Sequence, residues 1–142
     1  MRGEMLLRFV VVVNGQIVKR PLSQSVYVGD EALFQCSPKN GLAPDWFFKR
    51  ATSTDDDEPL LVSSEGSGHT DFGNKYSVAS FIKRPGHLAE QKEFNLVIHD
   101  VTLSDAGEYT CVDILFNNNA SATLTVLKHP VKGNDTVVVS AG

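Results

Sequence analysis

Residues 96–111 read LVIHDVTLSDAGEYTC, and the reading of this stretch decides the fold. Leu96 and Ile98 stand two apart, as the buried face of a strand requires. A polar turn follows over residues 104–107. Tyr109 then precedes Cys111 by two positions, and in an antiparallel sheet such a pair shares one face and points into one core. Asp105 lies six residues before the cysteine, where its carboxylate can close the turn and meet a cation at the lower edge of the sheet. Outward from this stretch, Cys36 lies 75 positions upstream of Cys111, and Trp46 follows Cys36 by ten.

The order Cys36, Trp46, then Asp105-x-Gly107-x-Tyr109-x-Cys111 resembles the immunoglobulin superfamily, with matching elements from about residue 16 to 127. The resemblance implies an all-β, immunoglobulin-like two-sheet Greek-key sandwich. It also implies a Cys36–Cys111 disulfide between the sheets, Trp46 packed against it, and Tyr109 as a tyrosine corner. Asp105 would pair with Lys75, which replaces the commoner arginine and lacks its bidentate fork. The stretch between Trp46 and Tyr76 is long enough for two additional edge strands, which makes the domain variable-type with about nine strands. The final strand, residues 119–126, has no Phe-Gly-x-Gly motif, and the hairpin before it is short. Both features argue against a rearranging antigen-receptor chain. The chain is more similar to the membrane-distal domain of an adhesion or innate recognition receptor, the group that includes nectins and junctional adhesion molecules.

With 142 residues, the simplest organisation is one domain with an extra segment at each end. Residues 1–15 form an N-terminal extension, 16–127 the domain, and 128–142 a linker with the start of a following domain. Deleting that last segment is expected to change the melting temperature little. The 42% hydrophobic content builds a core and excludes a disordered chain. A net charge of −4, with scattered lysines and arginines, argues against nucleic acid. Two cysteines in an otherwise ordinary composition point to an oxidising compartment. The sequons Asn119-Ala120-Ser121 and Asn134-Asp135-Thr136 agree with secretion and make Asn119 and Asn134 glycosylation candidates. No apolar run approaches the roughly 18 residues of a membrane span, so no direct membrane insertion is expected. Arg8 interrupts the apolar start MRGEMLLRFVVVV, and no small-residue cleavage pattern follows. The start is therefore read as structured or tag-like sequence and not as a signal peptide.

Asn14-Gly15 separates two β-branched runs, which predicts an extra N-terminal hairpin or one long first strand with a bulge. Ala32 and Phe34 share the inward phase of Cys36, and the strand over residues 45–49 carries Trp46. Residues 51–58 and 63–74 are polar loops on either side of a short edge strand at 60–62. Strands follow over residues 76–82 and 94–98. The last hairpin rises from Tyr109 through Phe116, turns at 117–119 and returns along 122–127.

Chemistry-bearing patterns are weak. The acidic run 55–58 lacks the spaced ligands of a calcium loop and reads as a solvated loop. Asp71-Phe72-Gly73 has no accompanying phosphate loop and reads as coincidence. The four histidines are dispersed, so no metal or other cofactor is expected, and no Ser-His-Asp set suggests catalysis. The informative residues are on the outside. If Trp46 and Cys111 point inward, Asp45, Phe47 and Lys49 on one strand point outward, as do Thr110, Val112, Ile114 and Phe116 on its neighbour. Leu60 or Leu61 on the edge strand would extend this apolar patch, and such patches mark partner sites. The partner-binding set is Phe47, Lys49, Leu60, Val112, Ile114 and Phe116. The expected protein is a non-enzymatic extracellular recognition module at the cell surface. It would pair with itself or a related immunoglobulin domain in adhesion or self/non-self recognition. The competing readings are a receptor binding a foreign ligand through loops 37–45, 63–74 and 116–119, and a structural spacer.

Overall fold

The structure is a computed structural model that describes residues 16–84, 86, 90–130 and 138–139. The expected N-terminal hairpin or bulged strand and the sequon at Asn134 lie outside these residues. The strands in chain order are β1 (Ile17–Lys19), β2 (Gln24–Tyr27), β3 (Ala32–Phe34), β4 (Ser37–Pro38), β5 (Asp45–Arg50) and β6 (Leu60–Ser64). They continue with β7 (Ser67–Gly68), β8 (Tyr76–Lys83), β9 (Gln91–Ile98), β10 (Gly107–Asp113), β11 (Asn118–Leu127) and β12 (Val138–Val139). The larger sheet runs β11-β10-β5-β6-β7, with β2 parallel to β11 along its other edge. The smaller sheet is β3-β9-β8, and β1 pairs with β4. Val126 pairs with Val26 of β2 and also with Val139 of β12. A strand has two edges, so β12 lies along the edge of β11 that β10 occupies further up. His129 stacks on Tyr27 with ring centroids 5.1 Å apart, so the first residues beyond β11 rest against the domain.

The core follows from the period-two phase. Phe34, Leu96 and Ile98 from the smaller sheet meet Trp46, Tyr109, Leu124 and Val126 from the larger, all fully buried. Cys36 and Cys111 are bonded across the sheets, with Cα atoms 6.5 Å apart. Trp46 stands directly opposite Cys111 in the β5–β10 register, and its indole Nε1 donates to the Phe94 carbonyl at 3.3 Å. The ring of Tyr109 stacks on Phe34 and Phe48, at 5.1 and 4.5 Å between centroids. Its hydroxyl donates to the carbonyl of Asp105 at 2.7 Å, which ties β10 to the turn before it. That turn is a single 3-10 turn, Leu103–Asp105.

Gly107 shows why the motif needs glycine. Its φ is +153°, and a Cβ there would crowd the Lys49 carbonyl, the Phe48 ring edge at 2.8 Å and the Ala51 amide nitrogen at 2.9 Å. Two of those three neighbours are backbone and cannot step aside. Gly107→Ala is therefore expected to cost about 2–4 kcal/mol, as strain plus overpacking. Urea unfolding checks this, and a loss below about 0.5 kcal/mol, the size of an ordinary surface substitution, would contradict it.

Burial pushes the Tyr109 phenol far above its ordinary pKa, and burial together with the Asp105 carboxylate pushes Tyr76 up to about 12. A group whose folded pKa is raised holds its proton longer when folded. Its contribution is complete below the unfolded value of 10.0 and is lost as the pH climbs towards 12. Stability is expected to fall above about pH 10, by up to about 1.4 kcal/mol per pH unit for each tyrosine. Tyr109→Phe should remove one tyrosine's share of that slope while costing about 1 kcal/mol at neutral pH for the lost hydrogen bond. An unchanged alkaline slope in this variant would contradict the assignment.

One polar cluster had no sequence signal. Glu93 and Asn95 on β9 are buried. Lys83 Nζ lies 3.2 Å and Lys19 Nζ 3.8 Å from Glu93 Oε2. Asn95 donates to Glu93 Oε1 at 3.1 Å and accepts from the Cys36 amide at 3.2 Å.

Candidate functional site

The outward face of β11-β10-β5-β6 is built by the same alternation that builds the core. Along β10, Tyr109, Cys111 and Asp113 are buried, while Thr110 and Val112 are half-buried and Glu108 is exposed. Along β5, Trp46 and Phe48 are buried, and Asp45, Phe47 and Lys49 are half-buried on the other side. Residues opposite one another across a ladder share a face, so the register assembles this surface in rows. One row runs Leu61, Phe47, Thr110, Ser121; the next runs Asp45, Val112, Asn119; the third runs Lys49, Glu108, Thr123. Phe47, Leu61 and Val112 thus form an apolar centre. Around it stand Asp45, the opposite charges Lys49 and Glu108, and the hydroxyls of Thr110 and Ser121, which are 2.7 Å apart. An apolar centre inside a polar rim is the anatomy of a protein interface.

Three residues of the expected set fall elsewhere. Leu60 lies opposite Phe48, in the inward phase, and Leu61 takes the outward place across from Phe47. The cause is an irregularity in the β5–β6 ladder. Trp46 pairs with Ser63 while Phe47 pairs with Leu61, so the extra residue on β6 leaves Val62 and Ser63 both buried. Ile114 and Phe116 are not on a strand. The strand β10 ends at Asp113, which pairs with Asn118, and residues 114–117 form a four-residue turn closed by Asn117 at φ +55°. The expected turn at 117–119 is displaced because Asn118 and Asn119 already belong to β11.

Ile114, Leu115 and Phe116 are therefore exposed at the hairpin tip, at 59%, 67% and 46%. Asn40 donates to Asp113 at 3.0 Å, which brings the loop with exposed Leu42 to the hairpin base. Residues 63–74, expected as loop, contribute the end of β6, the short β7 and a 3-10 turn at Thr70–Phe72. That turn, which holds Asp71 and Phe72, is capped by His69, whose Nδ1 accepts the Asp71 amide at 3.2 Å.

At the opposite end of the sandwich, Lys75 Nζ sits 2.6 Å from Asp105 Oδ2 and donates to the Asp100 carbonyl at 2.9 Å. Asp105 Oδ2 also accepts the Thr102 amide at 2.7 Å. This cluster fastens the turn. Among the described residues, no group of three His, Cys, Asp or Glu side chains is placed to hold a metal ion. No described helix is long and apolar enough to cross a membrane.

A family model for the immunoglobulin V-set domain matches residues 19–127. The chain belongs to the immunoglobulin V-set family. Domains of this family are non-enzymatic binding modules and are typically extracellular. Among solved structures, the RIG-5 IG1 homodimer is 25% identical with a TM-score of 0.55, over 78% of this chain and 94% of that one. Dpr1 IG1 bound to DIP-eta IG1 is 17% identical with a TM-score of 0.55, over 78% and 93%. The I9–I11 tandem of titin is 18% identical with a TM-score of 0.53, over 80% of this chain and 33% of that one. The last two share the fold alone. No curated protein matches.

Proposed function

We propose that this domain is a cell-surface recognition module that pairs with a second copy of itself, or with a related immunoglobulin domain, through the outward face of β11-β10-β5-β6. The observation that carries the reading is the apolar centre of Phe47, Leu61 and Val112, half-buried and set inside a polar rim on the outward sheet face. The 25% identical RIG-5 IG1 domain, itself a homodimer, supports pairing of like with like. Adhesion or self/non-self recognition is the work such pairing does. Complete burial of a large apolar side chain contributes on the order of 1.5–3 kcal/mol, and these three are already half-buried. Association entropy offsets much of the remainder, so the contact should be weak, on the micromolar scale.

The competing reading uses the apolar loop end, where Leu42, Ile114, Leu115 and Phe116 are exposed. Two variants separate the readings. Phe47→Asp, its folding verified by circular dichroism, is expected to weaken self-association at least about tenfold, since a carboxylate would be desolvated at the centre of the contact. Ile114→Asp should leave association near the parent value. The reverse pattern would transfer the site to the loop end.

A further inference from the structure

We infer that Asn119 is an N-glycosylation site whose glycan gates the pairing face. The inference rests on the pairing reading above and adds its regulation. It begins with the phase of β11. Ala120, Ala122 and Leu124 point into the core, at 2%, 5% and 0% exposure, so Asn119, Ser121 and Thr123 project outward and are exposed. Both functional residues of the sequon Asn119-Ala120-Ser121 thus stand on the proposed interface.

The register then fixes where on that face the sugar would emerge. Asn119 lies directly opposite Val112, and Val112 lies opposite Asp45. Cβ atoms of such pairs are about 5 Å apart. With strands about 4.8 Å apart, Asn119 stands about 10 Å from β5, which carries Phe47. A glycan is bulky and hydrated, and one rooted at this point would overhang the apolar centre. In a two-fold pair each copy presents the same patch, so the obstruction would enter twice.

The reaction is a transfer from a lipid-pyrophosphate-linked oligosaccharide. The Asn119 side-chain nitrogen forms a bond to the anomeric carbon of the sugar, and the bond from that carbon to the pyrophosphate oxygen breaks. The lipid pyrophosphate departs and the amide loses one proton. Neutral, exposed Asn119 becomes the root of a bulky group on a face otherwise shaped for close contact.

The test uses the whole chain secreted from eukaryotic cells, with Asn134→Gln removing the second sequon. Mass spectrometry after enzymatic glycan release in 18O-water reads occupancy at Asn119. Sedimentation velocity across concentrations then compares the glycosylated protein with Asn119→Gln, with Ser121→Ala, and with Asn119→Gln combined with Phe47→Asp. The expected result is an occupied Asn119, with the two sequon variants associating at least tenfold more tightly than the glycosylated form, and Phe47→Asp abolishing the gain. An unoccupied Asn119 overturns the inference. Equal association of glycosylated and unglycosylated forms, still sensitive to Phe47→Asp, also overturns the gate but leaves the pairing reading standing. If no form associates, the pairing reading falls and the gate falls with it.

Discussion

Replacing Cys36 and Cys111 together by alanine is expected to lower the unfolding free energy by about 4.5 kcal/mol. The bond closes a loop of 75 residues, and in the chain-entropy account a loop of that length removes about this much freedom from the unfolded chain. Both cysteines are fully buried, and Cys111 stands across from Trp46, so the bond also fills the centre of the core. Single domains hold only about 5–15 kcal/mol in total, so the variant should be marginal at physiological temperature. Urea denaturation of the oxidised parent and the double variant measures the difference through the midpoint. A loss under about 2 kcal/mol would mean that the two sheets are held by packing alone.

Asp105→Ala is the second large effect, a loss of about 3 kcal/mol. One carboxylate oxygen serves three purposes. It accepts the Thr102 amide at 2.7 Å, meets Lys75 Nζ at 2.6 Å, and receives the Thr102 hydroxyl at 3.3 Å. Removing it leaves Lys75 three-quarters buried with only the Asp100 carbonyl as partner. Breaking one half of a buried pair costs about 3–5 kcal/mol, and the part-exposure of the lysine puts this case at the low end. Asp105→Asn keeps an acceptor for the Thr102 amide and should recover about 1 kcal/mol, the value of a cap. Equal losses in the two variants would assign the whole effect to the ion pair.

The stretch from Leu96 to Cys111 could be read from sequence because its signals are local. Two-residue alternation, a polar turn and the tyrosine placed two before the cysteine are all contained within it. The role of Gly107 is different in kind. The room it leaves by lacking a Cβ is taken up by Phe48 and Lys49 of β5 and by Ala51 just beyond it, which no local pattern announces. The face itself was half legible. Phe47 and Val112 follow from phase alone, given Trp46 and Cys111. Of Leu60 and Leu61, Leu61 takes the outward place across from Phe47, because one extra residue in β6 reverses the phase beyond it, and periodicity carries no mark of such an insertion. Ile114 and Phe116 continued a strand pattern because Ile-Leu-Phe has no turn chemistry, whereas the asparagine run after it does. The chain turns earlier, since Asp113 and Asn118 close the ladder. The burial of Glu93 was invisible for a further reason. Its partners Lys19 and Lys83 come from β1 and β8, and only the folded sheet brings them together.

The claim that the β11-β10-β5-β6 face is a pairing surface is tested most directly by a dilution series of the unglycosylated, 15N-labelled domain followed by amide chemical shifts. Association through this face should move the resonances of Phe47, Lys49, Leu61, Thr110 and Val112 together with concentration, along one micromolar-scale isotherm. Shifts that stay constant, or that change only in residues 39–44 and 114–117, would contradict it.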